Sequence, residues 1–297
     1  MSEFKVLIPL DGSRLAEHAL AYLPALSYFG QLRVTLVSVV DLSDDLLESV
    51  TTEEREREYN LLSTYLREIA ADLETHLGAA VQCEVPRGAA SSLILELAEA
   101  VSPDLLVIST HGRSGVARWQ RGAVADKVIR GATCPVLVVG PKAMEKGQWL
   151  EAGAVPPFKQ ILVPLDGSET AERALPTAME YANLYASRVH IVQVMPFVPL
   201  ASGFWDPPST LRAGVVQAGN TYLDSVAKGL DGSTDVAKGV FVGAPAAELE
   251  RYIQANAIDL VVMTSHGRGG LTRAALGSVT DRLIGAGPPV LVVRIGQ

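Results

Sequence analysis

The chain repeats itself at a fixed distance. VLIPLDGS, from Val6 to Ser13, returns as ILVPLDGS from Ile161 to Ser168. Asp11 and Asp166, Gly88 and Gly243, Asp104 and Asp259, and His111 and His266 are each 155 residues apart, by subtraction of their positions. The spacing slips by one only near the end, where Pro289 answers Pro135. A constant offset over so long a span marks a tandem duplication, so both halves must be able to form the same unit. At 297 residues, each copy has roughly 150, enough to bury its own core. The expected domains are residues 1–142 and 158–297. The linker between them, 143–157, contains Gly, Ala and the pair Pro156-Pro157, with the cut near Pro156.

Within one copy, strand-like and helix-like patterns alternate. Phe4 to Leu10 is a short β-branched and Leu run. It is followed by Ser13 in capping position and by Leu15, Ala16, Ala19, Leu20, Leu23 and Leu26 at helical spacing. Arg33 to Val40 reads as a second strand. Asp41 to Glu58 is acidic and reads as a solvated loop leading into a long helix through Leu61, Leu62, Leu66, Ile69 and Leu73. A strand at Ala80–Pro86, a helix at Ser91–Ala100, a strand at Asp104–Thr110 and a last strand from Pro135 complete the unit. The strands are apolar without alternation, as expected for strands covered on both faces, and strand–helix–strand order implies right-handed parallel crossovers. The expected fold is α/β, with a doubly wound parallel sheet in each half.

Charge limits the partners. Twenty-five Lys plus Arg against 33 Asp plus Glu leave a net charge of −8, which argues against nucleic acid or an anionic membrane as the main partner, so any anion site must be local. Cys83 and Cys134 have neither a metal-site spacing nor a disulfide framework, and with no basic n-region or long apolar segment the expected location is cytoplasmic.

In parallel α/β sheets, ligands sit beyond the carboxyl ends of the strands where the strand order reverses. In the second half the stretch Met263–Thr280 reads MTSHGRGGLTRAALGSVT. An apolar strand stops, a Gly-rich basic loop follows, and Gly277-Ser278 opens a helix. Uncapped N–H groups and the positive end of the helix dipole favour an anion there, and glycine permits close approach. The plainer alternative makes Ser278 an ordinary N-cap. Asp166 would face the same crevice and could accept a hydrogen bond from a ribose hydroxyl or a purine amine. Its plainer alternative is a turn residue in Asp-Gly, with Ser168 as the cap.

These residues resemble the universal stress protein family, whose domains bind ATP through G-x-x-G, nine residues, then G-[ST]. The resemblance covers nearly the whole chain as two tandem domains. It implies two tandem Rossmann-like doubly wound domains, each a five-stranded parallel sheet with helices on both faces. The second half reads TSHG, RGGLTRAAL, GSVT, with Thr264 in place of the first glycine. By resemblance Pro164, Leu165 and Asp166 contact ribose and adenine, Val194 lines the adenine slot with Met263 and Thr264 close by, and Gly267, Gly277, Ser278, Val279 and Thr280 hold phosphates. His266 orders the loop or binds phosphate, with acid–base chemistry as the alternative. Arg268 and Arg273 either reach the outer phosphates or are solvated.

The first half is a degenerate copy: Ser109 stands at the first glycine, and Ala123 and Ala125 replace both hydroxyl residues. Pro9, Leu10, Asp11, Val39, His111, Gly112, Gly122 and Val124 remain as weaker candidates beside Ser109 and Ala123. Trp119 either covers a nucleotide or fills its place. Each lost hydroxyl hydrogen bond is worth about 0.5–1.5 kcal/mol, so binding there should be about tenfold weaker or more.

No Gly-Lys pair, no His-Glu pair and no G-x-S-x-G occurs, so Walker, zincin and hydrolase-elbow signatures are missing. The expectation is a stress-response protein acting through bound ATP, with Mg or Mn accompanying the nucleotide near Asp166. The alternatives are a slow ATPase or phosphotransferase, and a scaffold with vestigial sites. The two halves are expected to form an intramolecular pseudo-dimer through their fifth strands, with a homodimer as a further possibility.

Overall fold

A computed structural model describes residues 2–41, 51–110, 122–140, 158–196, 209–230, 232, 234–264, 277–285 and 287–294. The chain divides into two compact units, Met1–Pro156 and Pro157–Gln297.

The first unit runs β1 (Glu3–Pro9), α1 (Arg14–Glu17), α2 (Leu23–Leu26), β2 (Gln31–Val37), β3 (Val40–Asp41), α3 (Thr52–Leu77), β4 (Ala80–Glu84), β5 (Arg87–Gly88), α4 (Ala90–Val101), β6 (Leu105–Ser109), α5 (Ala123–Gly131) and β7 (Val136–Val139). Its main sheet is parallel in the order β7-β6-β1-β2-β4. The second unit runs β8 (Gln160–Leu165), α6 (Glu169–Glu172), α7 (Leu175–Tyr185), β9 (Arg188–Met195), α8 (Ser209–Lys228), β10 (Val236–Val242), α9 (Pro245–Ala255), β11 (Leu260–Thr264), α10 (Ser278–Ile284) and β12 (Val290–Val293). Its strands repeat the order, β10-β9-β8-β11-β12, again parallel.

In both units the first strand is central. The chain builds outward on one side of it, then returns to build on the other. The order therefore reverses between β1 and β6 and between β8 and β11, which opens a crevice at the carboxyl ends of those strands. Val6, Leu7 and Ile8 of β1 and Leu105, Leu106 and Val107 of β6 are all buried, as an unbroken apolar run requires when helices cover both faces. Asp104 and Asp259 brace the opposite end. Asp104 accepts the Lys5 N–H at 2.8 Å, and Asp259 accepts those of Lys159 and Gln160 at 2.7 and 3.0 Å.

Two expectations change. The helix expected over Leu15–Leu26 is broken into α1, a 3-10 segment His18–Tyr22, α2 and a second 3-10 segment Ser27–Phe29. Pro24 has no N–H to continue the ladder and falls in the first turn of α2, the position a helix tolerates. The acidic stretch read as a loop to Glu58 is helical from Thr52. A capping box sets that start: Thr51 accepts the Glu54 N–H at 3.2 Å while Glu54 accepts the Thr51 N–H at 2.8 Å. Thr51→Ala should cost about 1 kcal/mol, visible as a lower urea midpoint for the first unit, and Ser should restore it.

Neither cysteine forms a disulfide. Among the described residues no helix is long and apolar enough to cross a membrane. The 143–157 linker lies outside the described residues.

Candidate functional site

The crevice of the first unit is built by the turn after β1. Leu10 donates its N–H to Val37 O at 2.8 Å, and Ser38 Oγ donates to Leu10 O at 2.5 Å, fixing this turn against the end of β2. Asp11 Oδ1 accepts the Ser13 N–H at 3.0 Å, and Ser13 Oγ caps α1 by accepting the Ala16 N–H at 3.1 Å. Gly12 between them has φ of 78°, the left-handed region where glycine costs least. The second unit reproduces this turn. Asp166 Oδ1 accepts from Ser168 N and Oγ at 3.0 and 2.6 Å, Ser168 caps α6, and Gly167 has φ of 81°. The Asp-Gly-Ser turn role is thus realised in both copies. It also holds a half-buried carboxylate at the head of each crevice.

Pro9, Leu10, Asp11, Val39, Ser109, Gly122, Ala123 and Val124 line one pocket of about 400 Å³. These are the described members of the first-half candidate set. His111, Gly112 and Trp119 lie outside the described residues. At one end of the pocket α5 begins with Gly122 as N-cap, at φ −54° and ψ 140°, with no side-chain cap. Gly122 donates its own N–H to Thr110 O at 3.0 Å. Ala123 and Val124 occupy the first turn, where helical bonding leaves N–H groups over for an external acceptor.

Sequence reasoning missed two carboxylates on the pocket wall, Asp41 and Glu58. Both were read as part of a solvated acidic loop. The T-x-x-E pattern at Thr51–Glu54 was the signal that Glu58 sits on a helix instead.

In the second unit Pro164 and Leu165 end β8, Val194 lies near the end of β9, and Met263 and Thr264 close β11, with Val194, Met263 and Thr264 buried. Gly277, not Ser278, is the N-cap of α10, at φ −58° and ψ 143° with no side-chain cap bond. Ser278, Val279 and Thr280 therefore form the first helical turn, and Thr280 is only 2% exposed. The plain N-cap reading of Ser278 does not hold. His266, Gly267, Arg268 and Arg273 lie outside the described residues.

A second polar group escaped the sequence reading. His190 is 3% exposed, and its Nδ1 pairs with the Tyr252 hydroxyl at 2.8 Å and its Nε2 with Gln160 Oε1 at 2.7 Å. An amide oxygen only accepts, so Nε2 carries the proton and Nδ1 accepts from Tyr252. Burial lowers the imidazole pKa, Arg188 lowers it further, and Asp235 opposes them. This cluster sits near the start of β9, away from the carboxyl-end crevice, and is structural. Among the described residues no group of three or more His, Cys, Asp or Glu could hold a metal ion.

Known proteins agree with this architecture. A universal stress protein of Methanocaldococcus jannaschii is 38% identical over 149 residues, which cover 46% of this chain and 82% of that protein. A universal stress protein of Mycobacterium tuberculosis is 30% identical over 198 residues, 64% of this chain and 62% of its own length, so the chain spans less than two thirds of that relative. The crystal structure of a universal stress protein from Archaeoglobus fulgidus superposes with a TM-score of 0.69 at 20% identity, covering 99% of this chain and 97% of that one, a likeness of fold. The universal stress protein family profile matches residues 4–140 and 157–294. The chain therefore belongs to the universal stress protein family, with two tandem copies of its domain.

Proposed function

We propose that this chain is a stress-response regulator in the cytoplasm that acts through bound ATP, held chiefly in the crevice between β8 and β11. The observation that carries the reading is the first-unit pocket. There, residues scattered over more than a hundred positions, from Pro9 to Val124, meet around one cavity, and the second unit has the same strand order with the fuller motif. Pro164, Leu165, Asp166 and Val194 would take ribose and adenine. The N–H groups and hydroxyls from Gly277 to Thr280 would take phosphate oxygens, using the unused donors of a helix start. Asp166 is the carboxylate of this set that would help hold a Mg or Mn ion with the triphosphate.

Donors without an evident base favour holding ATP over cleaving it. Mass spectrometry of protein purified without added nucleotide tests this. Retained ATP supports the reading. Retained ADP or AMP points to turnover, and an empty protein without affinity for ATP points to a scaffold. Association of the two halves as a pseudo-dimer is a further proposal, and separately expressed halves with no mutual affinity would refute it.

A further inference from the structure

We infer that the second unit holds a small-molecule site separate from its crevice, one that takes a metabolite through a carboxylate group. A groove of about 600 Å³ lies at the amino ends of its strands, where Gln160 and Arg188 open β8 and β9, α7 ends, and Thr234 and Asp235 lead into β10. Small-molecule sites span roughly 300–1,000 Å³. None of the lining residues belongs to the set proposed for ATP.

The walls of this groove carry more donors than the fold uses. Gln160 Oε1 is occupied by His190 Nε2 at 2.7 Å, and because that ring is buried it fixes which way the Gln160 amide faces. The amide nitrogen is left without a hydrogen bond among the described residues. Arg188 meets Asp235 through Nε at 3.2 Å, which leaves both terminal Nη groups, the fork that matches a carboxylate, unengaged among the described residues. Lys159 Nζ donates to Tyr185 O and keeps two further N–H donors. Asn183 Oδ1 accepts from Thr234 Oγ1 at 3.0 Å, so its amide nitrogen is also spare.

The surroundings favour one carboxylate over a phosphate. α7 turns its carbonyl end to the groove through Ala182 and Asn183, bringing a partial negative charge, and Asp235 adds a full one. A phosphate dianion would be repelled by both. A planar carboxylate carries half that charge and matches the guanidinium fork in two parallel hydrogen bonds, with the Gln160 amide as a further donor. The first unit does not repeat this set. Lys5 and Tyr28 stand 155 residues before Gln160 and Asn183, and Arg33, which stands 155 before Arg188, donates to Glu3 at 2.9 Å.

The test is a titration of the full chain with propionate, and separately with inorganic phosphate at the same ionic strength. It follows the Gln160 side-chain amide and the Arg188 Nε–H in nitrogen–proton correlation spectra. Propionate should shift both resonances saturably, and phosphate should bind about tenfold more weakly or less tightly still. Arg188→Gln should weaken propionate about tenfold or more, and Arg188→Lys, which keeps the charge and loses the fork, should weaken it as well. Calorimetry should find ATP binding unchanged in both variants. Absence of a saturable shift, phosphate binding as tightly as propionate, or full affinity in Arg188→Gln would each overturn the inference, and the ATP proposal would stand. The wild-type comparison of the two anions decides the matter even if a variant fails to fold.

Discussion

Gly277→Val should lower the affinity of the chain for ATP by about a hundredfold or more, whereas Gly122→Val should change it by less than about twofold. The argument begins with backbone conformation. Gly277 has φ −58° and ψ 143°, and Gly122 has φ −54° and ψ 140°. Any L-residue adopts these values, valine included, so neither glycine is there to relieve backbone strain. What glycine provides at an N-cap in this position is space above the first helical turn, where a bound phosphate would approach the N–H groups of the next residues. A valine at 277 would fill that space and cost about 1–3 kcal/mol in overlap, besides the phosphate hydrogen bonds it displaces. At 122 a Cβ would meet only Thr110 O, at an ordinary 3.7 Å, so the unit keeps its fold. On the proposed reading the first copy, with Ala123 and Ala125 at the two hydroxyl positions, would also have little ATP affinity to lose. Isothermal titration of both variants decides the matter. Equal losses would refute the asymmetry between the copies, and unchanged binding in both would remove the phosphate loop from the site.

The parts of this fold that can be read from the chain are those in which one physical requirement dominates. Runs such as Val6–Ile8 and Leu105–Ile108 have to be covered on both faces, so their apolarity marks central strands whatever surrounds them. The turn at Asp11-Gly12-Ser13 is equally legible, because a left-handed glycine and a capping serine act within a few residues. Where two local signals compete, sequence reading chose the wrong one. The acidity of Asp41–Glu58 suggested solvated chain, yet the Thr51–Glu54 box starts a helix inside it. Leucine spacing suggested one helix over Leu15–Leu26, yet Pro24 imposes a restart.

What could not be read at all depends on contacts between distant elements. Asp41 reaches the pocket wall because β3 pairs with β5, 47 residues further on by the Val40–Arg87 register, and nothing in two-residue strands announces such a pairing. The family resemblance named Pro9, Leu10, Asp11, Val39, Ser109, Gly122, Ala123 and Val124 among the first-unit pocket residues, but it could not supply Glu58, whose place depends on how α3 packs.

His190 illustrates the same limit and carries the second large effect. One His in RVHIVQVM reads as an interruption of a strand, and its partners Gln160 and Tyr252 are 30 and 62 residues away. His190→Ala should destabilise the second unit by about 2–4 kcal/mol, since it opens a cavity and leaves the Gln160 amide oxygen and the Tyr252 hydroxyl without their buried partner. Tyr252→Phe, which keeps the ring against Phe241 at 5.6 Å, should cost about 1 kcal/mol. The imidazole also sets a pH dependence. Its pKa in the folded chain lies below the ordinary 6.5, chiefly because burial penalises the charged form. The unfolded chain therefore takes up this proton first as pH falls. The stabilising contribution is complete above about pH 6.5 and is lost as the pH drops through 6.5 toward the lowered folded value. Urea denaturation of the wild type and His190→Ala at about pH 7.5 and 5.5, either side of that value, separates this from other groups. The gap between the two proteins should shrink at the lower pH. A gap that widens on acidification would mean that His190 is held as the imidazolium, with Asp235 rather than burial deciding its charge.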